Sequence, residues 1–286
     1  MNKSNILEYI KCPCCEKENA IEWGKENKFR ANKCVECGLI YVNPRPINDN
    51  KQNAIKYGMH KYDNDSLDVN TKFSPKRVSG LMQRLKDVYN ENDLKISGNW
   101  LDVGAGNGEF IHALKNNYIK LGIIDGIEPN CNKIKDAQNN NINLFADISE
   151  LSINYDYISL INVFSHFSDP NSELLKIKNI LSKEGEILIV TGNAGDISFN
   201  DYPEKLSLPD HLIFTGENHI KTYLEKLSFS IISINKYLYD IPQNALISIG
   251  KHYVKKMIGK PTWKSLNTKY FGPFRSLWIR AKLDRN

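Results

Sequence analysis

One stretch constrains this chain more than any other, the segment Trp100-Leu-Asp-Val-Gly-Ala-Gly-Asn-Gly-Glu-Phe110. Its apolar start predicts a short buried strand, and the spacing of apolar residues from Phe110 onward predicts a helix. Between them, Gly104, Gly106 and Gly108 allow a sharp turn and leave no Cβ where a ligand must approach. A strand, a glycine turn and a helix N-terminus present free N–H groups to a ligand, the arrangement that opens a nucleotide-binding βαβ unit.

The spacing of the glycines narrows the kind of ligand. A dinucleotide fingerprint places its third glycine where this chain has Glu109, whereas the glycines here follow a G-x-G-x-G rhythm. Asp102, near the end of the strand, is placed to reach a cationic amine. The stretch resembles motif I of class I S-adenosylmethionine-dependent methyltransferases. That resemblance implies that the cofactor binds at five residues of this stretch: Asp102, Gly104, Ala105, Gly106 and Gly108.

From residue 100 onward strand and helix signals alternate, which predicts an α/β fold with a parallel sheet covered on both faces. The predicted strands are 100–103, 123–128, 142–145, 156–162, 186–191 and 229–236, and the predicted helices are 108–117, 130–139, 170–182, 216–227 and 244–258. A helix from Ser74-Pro75 should pack beside the first strand, and Lys183-Glu-Gly185 should end the helix that starts at Pro170.

A last strand at 276–283 would complete the sheet. If this strand is antiparallel and lies beside the sixth, the sheet matches the doubly wound, mostly parallel, seven-stranded and Rossmann-like sheet of the class I methyltransferases. A helical insertion at about 243–270 would then precede the last strand.

Five of the six cysteines fall between residues 12 and 37, and four of them form two C-x2-C pairs, Cys12 with Cys15 and Cys34 with Cys37. Paired knuckles at this separation predict a tetrahedral four-cysteine zinc site, which would stabilise a segment too small for a core of its own. In a reducing compartment, clustered cysteines are more often metal ligands than disulfides. Unrelated free thiols are the alternative, and Cys14 is expected to be a spectator.

The cysteine pairs and the prolines after them place a domain boundary near residue 46. We expect a zinc ribbon at 1–45, a linker with a helical cap at 46–98, and an S-adenosylmethionine-binding domain at 99–286. The polar part of the linker, up to about residue 72, predicts weak helix and loop. The chain has no apolar run of the ~18 residues that a membrane span needs and no signal-peptide core, so a cytoplasmic location is expected.

Ligands of open α/β sheets bind outside the carboxyl ends of the strands, so residues that follow each strand are site candidates. Glu128 follows the second strand, where a carboxylate can accept hydrogen bonds from both ribose hydroxyls of an adenosine. Asp125 competes for this role, although Gly126-Ile-Glu-Pro129 matches motif II of the family better. After the third strand, Asp147 and Ile148 resemble the family's adenine contact. A solvated loop charge is the alternative for Asp147.

Two histidines follow the fourth and fifth strands. The stretch from Asn162 to Pro170 resembles a family segment with Glu-His and Asp-Pro, with Ser165 in place of the Glu. The resemblance implies that Asn162 belongs to the cofactor site and that His166 lies next to the sulfonium. The later block Leu208-Pro-Asp-His-Leu-Ile-Phe-Thr215 follows the fifth strand and is expected to bring His211 to the same edge of the sheet. Either imidazole could accept the proton that a methylated hydroxyl releases, and a structural role is the alternative.

The order of a four-cysteine ribbon and a class I methyltransferase domain is similar to a bacterial group that includes sugar C- and O-methyltransferases. This chain is too short for the further C-terminal domain of the deoxysugar C-methyltransferases, so the resemblance favours O-methylation of a small acceptor, a sugar or glycan precursor. The main alternative is a zinc-containing RNA base methyltransferase. A net charge of +5 without a basic stripe interleaved with aromatic residues disfavours nucleic acid. A non-catalytic binding protein is the second alternative, which the intact glycine turn disfavours.

Overall fold

The computed structural model describes residues 7–47, 59–62, 65–68, 72–89, 96–200, 202, 206–238, 245–259 and 273–284. In chain order its strands are β1 (Leu7–Glu8), β2 (Ala20–Glu26), β3 (Phe29–Cys34), β4 (Ile40–Val42), β5 (Arg45–Pro46), β6 (Met59–Tyr62), β7 (Asp65–Asp68), β8 (Gly98–Val103), β9 (Leu121–Ile127), β10 (Leu144–Phe145), β11 (Tyr155–Ile161), β12 (Leu181–Gly192), β13 (Ile213–Phe214), β14 (Phe229–Tyr237) and β15 (Ser276–Leu283). Its α-helices are α1 (Pro75–Tyr89), α2 (Glu109–Asn117), α3 (Cys131–Gln138), α4 (Pro170–Asn179), α5 (Glu217–Lys226) and α6 (Ala245–Met257). In the described part of the chain, no helix combines the length and the apolar character that crossing a membrane requires.

Seven strands form the central sheet in the order β10-β9-β8-β11-β12-β15-β14. Strands β10, β9, β8, β11 and β12 are parallel to one another, whereas β15 is antiparallel to both β12 and β14. This order confirms the predicted α/β fold, with its doubly wound, mostly parallel seven-stranded sheet and its antiparallel last strand.

Successive residues of β12 point to opposite faces of this sheet. Ile187 and Ile189 join a hydrophobic cluster with side chains of α4 and α5, while Leu188 and Val190 join a second cluster with side chains of α1 and α2. A strand places alternate side chains on alternate faces. Because helices cover both faces, the strand is a continuous apolar run in the sequence rather than an alternation of apolar and polar residues.

A second sheet of four strands has the order β13-β4-β3-β2. Strands β2 to β4 come from the cysteine-rich segment, and β4 is the buried apolar run that follows the second cysteine pair. The fourth member, β13, belongs to the loop after β12 and pairs antiparallel with β4, with Ile213 opposite Tyr41 and Phe214 opposite Ile40. The cysteine-rich segment and the loop after β12 therefore share one sheet.

Two local predictions were wrong. Helix α4 ends at Asn179 because Leu181 already pairs with Tyr155 as the first residue of β12, so Lys183-Glu-Gly185 lies within a strand and does not end the helix. The linker contains an antiparallel hairpin of β6 and β7 among its described residues, where weak helix and loop were expected. Short polar strands lack the hydrophobic period that would reveal them. Of the insertion expected at 243–270, α6 is described and residues 260–272 lie outside the described residues.

Candidate functional site

The turn between β8 and α2 has the backbone geometry that its glycines predict. Gly104, Gly106 and Gly108 have φ angles of 75°, 59° and 80°, in the left-handed region that favours glycine. A Cβ on Gly104 would lie 2.6 Å from Val163 and one on Gly108 would lie 2.3 Å from Ile142, whereas a Cβ on Gly106 would meet nothing within 4 Å. Gly104 and Gly108 thus permit close packing, and Gly106 faces open space that a ligand can enter.

Glu128 lies just after β9, directly beside this turn. One carboxylate oxygen accepts a hydrogen bond from the backbone N–H of Gly106 and the other from that of Asn130, both at 2.9 Å. Burial raises the pKa of Glu128, while Lys133 and these two N–H groups favour its charged form. The carboxylate predicted to bind a ribose is therefore held against the glycine turn.

The carboxylates of Asp102 on β8 and Asp125 on β9 each accept a hydrogen bond from another side chain of the protein. Asp102 is 1% exposed and accepts a hydrogen bond of 2.7 Å from the Ser159 hydroxyl, and burial raises its pKa to about 7. Asp125, the competing candidate for the ribose, accepts a 2.7 Å hydrogen bond from the Tyr155 hydroxyl instead. Glu128 is thus the carboxylate that contacts the turn.

The loop after β10 lies beside the end of β9, since the backbone N–H of Glu128 donates to the carbonyl of Phe145 at 2.9 Å. Asp147 is exposed and caps the short 3-10 helix Ile148–Glu150 by accepting hydrogen bonds from the backbone N–H and hydroxyl of Ser149, at 2.9 and 2.7 Å. These bonds lower the pKa of Asp147. Asp147 and Ile148 therefore lie at the same edge of the sheet as Glu128, with the carboxylate ionised at neutral pH.

The loops after β11 and β12 meet further along this edge. The carbonyl of Ser165 accepts a 2.8 Å hydrogen bond from the backbone N–H of Leu212, and the rings of His166 and His211 lie edge to face with centroids 4.8 Å apart. Nδ1 of His166 is 3.1 Å from the Asp210 carbonyl oxygen and 3.5 Å from its carboxylate. If Nδ1 donates its hydrogen to that carbonyl, Nε2 carries a lone pair. A neutral imidazole in this form can accept a proton at Nε2.

His166 also lies near the glycine-turn side of the edge. It is close enough to Glu128 to favour the charged form of that carboxyl and so to oppose the rise in pKa caused by burial. Asn162, directly after β11, has a φ of 58°, a left-handed conformation that asparagine tolerates better than most residues. The structure thus brings Asn162 and both predicted histidines to one edge with Glu128.

A cavity of about 400 Å³ opens beside the two histidine loops. Its volume falls within the range of roughly 300–1,000 Å³ typical of small-molecule sites. The described residues that line it are Asn162, Ser165, Thr191, Gly192, Ala194, Tyr202, His211, Ile213, Phe214, Thr215, Leu238, Arg275 and Ser276. None of these belongs to the glycine turn, although Asn162, which is predicted to contact the cofactor, is among them.

Several residues of this region were not predicted from the sequence. Arg275 and Ser276 lie at the amino end of β15, which reaches the same edge as the carboxyl ends of its neighbours because it is antiparallel to them. A rule that considers only residues after parallel strands passes over them. Asp210 precedes His211 in the predicted block, but no spacing indicates that it contacts His166.

The four predicted cysteines form one cluster. The sulfur of Cys12 lies 3.5 Å from that of Cys37, the sulfur of Cys15 lies 3.5 Å from that of Cys34, and all four lie within 4.8 Å of one another. A tetrahedral zinc ion with Zn–S bonds of ~2.3 Å separates its sulfurs by roughly 3.8 Å, whereas a disulfide brings them to ~2.05 Å. The donor set and its spacing fit a tetrahedral metal, and Cys14 is not part of the cluster.

The cysteine-rich segment holds the loop that carries His211. The carboxylate of Glu26 accepts hydrogen bonds from the backbone N–H groups of Leu206 and Leu208, at 2.8 and 3.3 Å. The side-chain amide of Asn27 donates to the carbonyl of Leu208 at 2.8 Å. Together with the pairing of β4 and β13, these contacts fix both ends of the 206–214 loop, which lines the cavity.

A sheet of this order, with a glycine turn after β8 and a carboxylate after β9, defines the class I methyltransferase fold. Residues 73–234 match the family described as methyltransferase domain. Because the match spans more than half of the 286 residues, the chain belongs to this family and is an S-adenosylmethionine-dependent methyltransferase. No curated protein sequence matches the chain.

Solved structures are similar to this chain at low sequence identity. A chain from the complex of the Haloferax volcanii Trm112 methyltransferase activator with a methyltransferase is 15% identical, with 73% of this chain and 94% of that chain covered and a TM-score of 0.51. The plantazolicin methyltransferase BpumL, bound to a triazolic desmethylPZN analog and SAH, is 18% identical over 74% of this chain and 86% of that chain, with a TM-score of 0.49. A Bacillus halodurans C-125 protein classed as a methyltransferase is 18% identical over 70% and 97%, also with a TM-score of 0.49.

Proposed function

We propose that this enzyme transfers the methyl group of S-adenosylmethionine to an oxygen atom of a small acceptor, with a sugar or glycan precursor as the acceptor class. The observation that carries this proposal is the cavity of about 400 Å³ that His211 lines, with His166 packed against His211. The lining residues include Ser165, Thr191 and Thr215, polar residues that suit a molecule rich in hydroxyls. The similarity of the ribbon and domain order to sugar methyltransferases supports the acceptor class.

The cofactor would lie along the ends of β8, β9 and β10. Its contacts are proposed at the glycine turn, where Gly106 faces open space, and at Glu128 for the ribose hydroxyls. The full set of proposed cofactor residues is Asp102, Gly104, Ala105, Gly106, Gly108, Glu128, Asp147, Ile148 and Asn162. Asp147 and Ile148 are assigned to the adenine, and Asp102 to the cationic amine.

The bound cofactor supplies a methyl group on a sulfonium, which is already a reactive electrophile. The chain's own task is to align the acceptor oxygen with that methyl group and to remove one proton as the new O–C bond forms and the S–C bond breaks. We propose that His166 accepts this proton. Its Nδ1 lies 3.1 Å from the Asp210 carbonyl oxygen, and its Nε2 then carries the lone pair. His211 is the second candidate for this role.

We also propose that Cys12, Cys15, Cys34 and Cys37 hold a structural zinc ion. The sulfur distances of 3.5 Å support this assignment. The proposed domains are the ribbon at 1–45, the linker and helical cap at 46–98, and the methyltransferase domain with its helical insertion at 99–286. The pairing of β13 with β4 adds a strand from the last of these to the ribbon sheet.

The test is transfer of label from tritiated S-adenosylmethionine to a panel of sugars, sugar phosphates, nucleotide sugars and oligosaccharides. We expect label in a sugar, bound so that it resists mild alkali, as a methyl ether does and a methyl ester does not. Label in ribosomal RNA and in none of the sugars would contradict the proposal and favour the RNA alternative. Cofactor binding with no transfer to any acceptor in the panel would contradict it in favour of the non-catalytic alternative.

A further inference from the structure

Large apolar side chains are exposed on one side of helix α6. Among the described residues near its C-terminal end, the exposed fractions are 55% for Tyr253, 58% for Val254, 85% for Met257 and 59% for Ile258. The helical hydrogen bonds continue to Ile258, whose backbone N–H donates to the carbonyl of Val254 at 3.2 Å. At 3.6 residues a turn, positions i, i+1, i+4 and i+5 fall on one side of a helix. These four side chains therefore form one apolar face, the α6 face.

The opposite side of the same helix is basic. Lys251, Lys255 and Lys256 have the spacing of the α6 face displaced by two residues, which is a rotation of about 200° around the helix axis. All three lysines are exposed. Single exposed apolar residues are common on protein surfaces, whereas contiguous ones mark a site of interaction. A helix that separates an apolar face from a basic face suits the boundary between an apolar and a negatively charged medium.

The positive charge of the chain is concentrated around this helix. Between Asp240 and Asp284 the sequence contains nine lysine and arginine residues and no aspartate or glutamate. Six of the nine are lysines of the connection between β14 and β15, which contains α6. Because the whole chain has a net charge of +5, the remainder of the chain has a net negative charge. This connection should therefore be attracted to a negatively charged surface.

The two faces together favour one kind of partner. If two copies of the chain packed their α6 faces together, their lysines would repel, and 241–283 contains no acidic residue to pair with them. A nucleic acid would contact the lysines but leave Val254, Met257 and Ile258 in water, since bases stack on aromatic rather than aliphatic side chains. A lipid surface with anionic headgroups satisfies both faces, because apolar side chains enter the acyl boundary while lysines reach the phosphate groups.

We propose that α6 binds the protein to an anionic lipid bilayer, with the helix parallel to the membrane surface and the α6 face at the boundary of headgroups and acyl chains. The helix has 13 residues, fewer than the ~20 that a membrane span needs, so the association is peripheral. Leu238 lines the cavity, and seven residues from Leu238 to Ala245 span at most roughly 25 Å. Binding through α6 therefore keeps the cavity near the lipid surface, whichever acceptor is methylated.

Co-sedimentation of the full chain with sucrose-loaded vesicles tests this proposal without methyl transfer. The probes are vesicles of phosphatidylcholine alone and vesicles of equal parts phosphatidylcholine and phosphatidylglycerol. We expect the wild type to bind the anionic vesicles at least about tenfold more tightly than the neutral ones, because the lysines gain only from the anionic headgroups. The difference should shrink in high salt, which screens the attraction between exposed charges.

A first variant tests the basic side of the helix. Lys251→Gln/Lys255→Gln/Lys256→Gln should lower the affinity for anionic vesicles at least about twentyfold, since each lysine near such a surface contributes roughly fivefold. Glutamine is a good helix former, so the substitutions do not disfavour the helix. The matched control makes the same change at three exposed lysines elsewhere in the chain and should bind as the wild type does; its positions are Lys76, Lys86 and Lys120.

A second variant tests the α6 face with the charge unchanged. Val254→Gln/Met257→Gln/Ile258→Gln should lower the affinity for anionic vesicles at least about tenfold, because its side chains no longer gain from leaving water. The control is Ile119→Gln/Leu175→Gln, at positions that are 91% and 49% exposed, and it should keep the wild-type affinity. Since every replaced side chain is exposed, the melting temperature of each variant should stay within a few degrees of the wild type.

Several outcomes would overturn the proposal. Failure of the wild type to bind anionic vesicles, or wild-type affinity in either α6 variant, would do so directly. Dimerisation of the wild type that the apolar variant abolishes, without vesicle binding, would assign the α6 face to a second copy of the chain. Retention on RNA that the lysine variant loses, again without vesicle binding, would assign the basic side to a nucleic acid.

Discussion

Asp102 shows how burial sets the charge of a group beside the glycine turn. Burial raises its pKa from 3.8 to about 7, so between these values the folded chain holds a proton that the unfolded chain has lost. The contribution of Asp102 to stability is therefore complete below pH 3.8 and is lost as the pH rises through about 7. A cationic amine nearby would favour the charged form and lower this pKa.

We therefore expect S-adenosylmethionine binding to release up to one proton at pH 6 and to tighten as the pH rises towards 8. Calorimetry in buffers of different ionisation enthalpy measures the proton count. Asp102→Asn, which keeps the shape that contacts Ser159, should remove the proton release. The same proton count in wild type and variant would show that Asp102 does not meet the amine.

His166 is the proposed base of the reaction. His166→Ala should lower kcat at least about a hundredfold, in the range of one lost general base, while cofactor affinity stays within a few-fold. His166→Asn keeps a donor for the Asp210 carbonyl but cannot accept the proton, so it should be as slow as His166→Ala. The wild-type rate should fall towards acid pH. Near-normal kcat in His166→Ala would return this histidine to a structural role and leave His211 or simple positioning.

Single residues were predictable where their signal is local. The glycine turn, Glu128 and the cysteine pairs were predictable from their spacing in the sequence. In the structure a carboxylate oxygen of Glu128 lies 2.9 Å from the backbone nitrogen of Gly106. No sequence pattern indicates Arg275, because the antiparallel position of β15 in the sheet is what brings this residue to the cavity. Pairing across the sheet, rather than any neighbour in sequence, places it in the cavity.

At the scale of elements, the ribbon and the 206–214 loop form one unit. Strand β13 has two residues, too few to form without a partner, and it exists because β4 supplies the hydrogen bonds. No sequence pattern marks such a strand, whereas the long strands and helices of the central sheet were predicted within a few residues. Glu26 and Asn27 then fix the start of the same loop. The position of His211 therefore depends on a folded ribbon.

Loss of the metal should consequently disturb the 206–214 loop and weaken catalysis with the acceptor. Cys34→Ser should lower zinc below one equivalent per chain, because a structural site needs its full set of four ligands. It should lower kcat/KM for the acceptor at least about tenfold and leave cofactor affinity within a few-fold. Metal analysis and calorimetry check this. Cys131→Ser is the control, since Cys131 starts α3 outside the cluster. Full metal retention in Cys34→Ser would refute the zinc site.

At the scale of the whole molecule, one edge of the sheet gathers every proposed group of the reaction. The glycine turn and Glu128 lie at one part of the edge, and the histidine loops and the cavity lie at another. The alternation of strand and helix signals, together with the family resemblance of the glycine turn, sufficed to predict this sheet. The cavity is a product of three loops and an antiparallel strand, so its shape follows from tertiary packing alone.

Calorimetric titration with S-adenosylhomocysteine tests whether the cofactor binds at the glycine turn. The wild type should bind one molecule per chain, and Gly106→Val should lose at least about a hundredfold in affinity, since its side chain fills the space that the ligand needs. Gly259→Val is the matched control, because Gly259 also has a positive φ, 67°, and a Cβ there also meets nothing within 4 Å. It should bind as the wild type does. Unchanged affinity in Gly106→Val, or binding of NADH in preference to S-adenosylhomocysteine, would contradict the account.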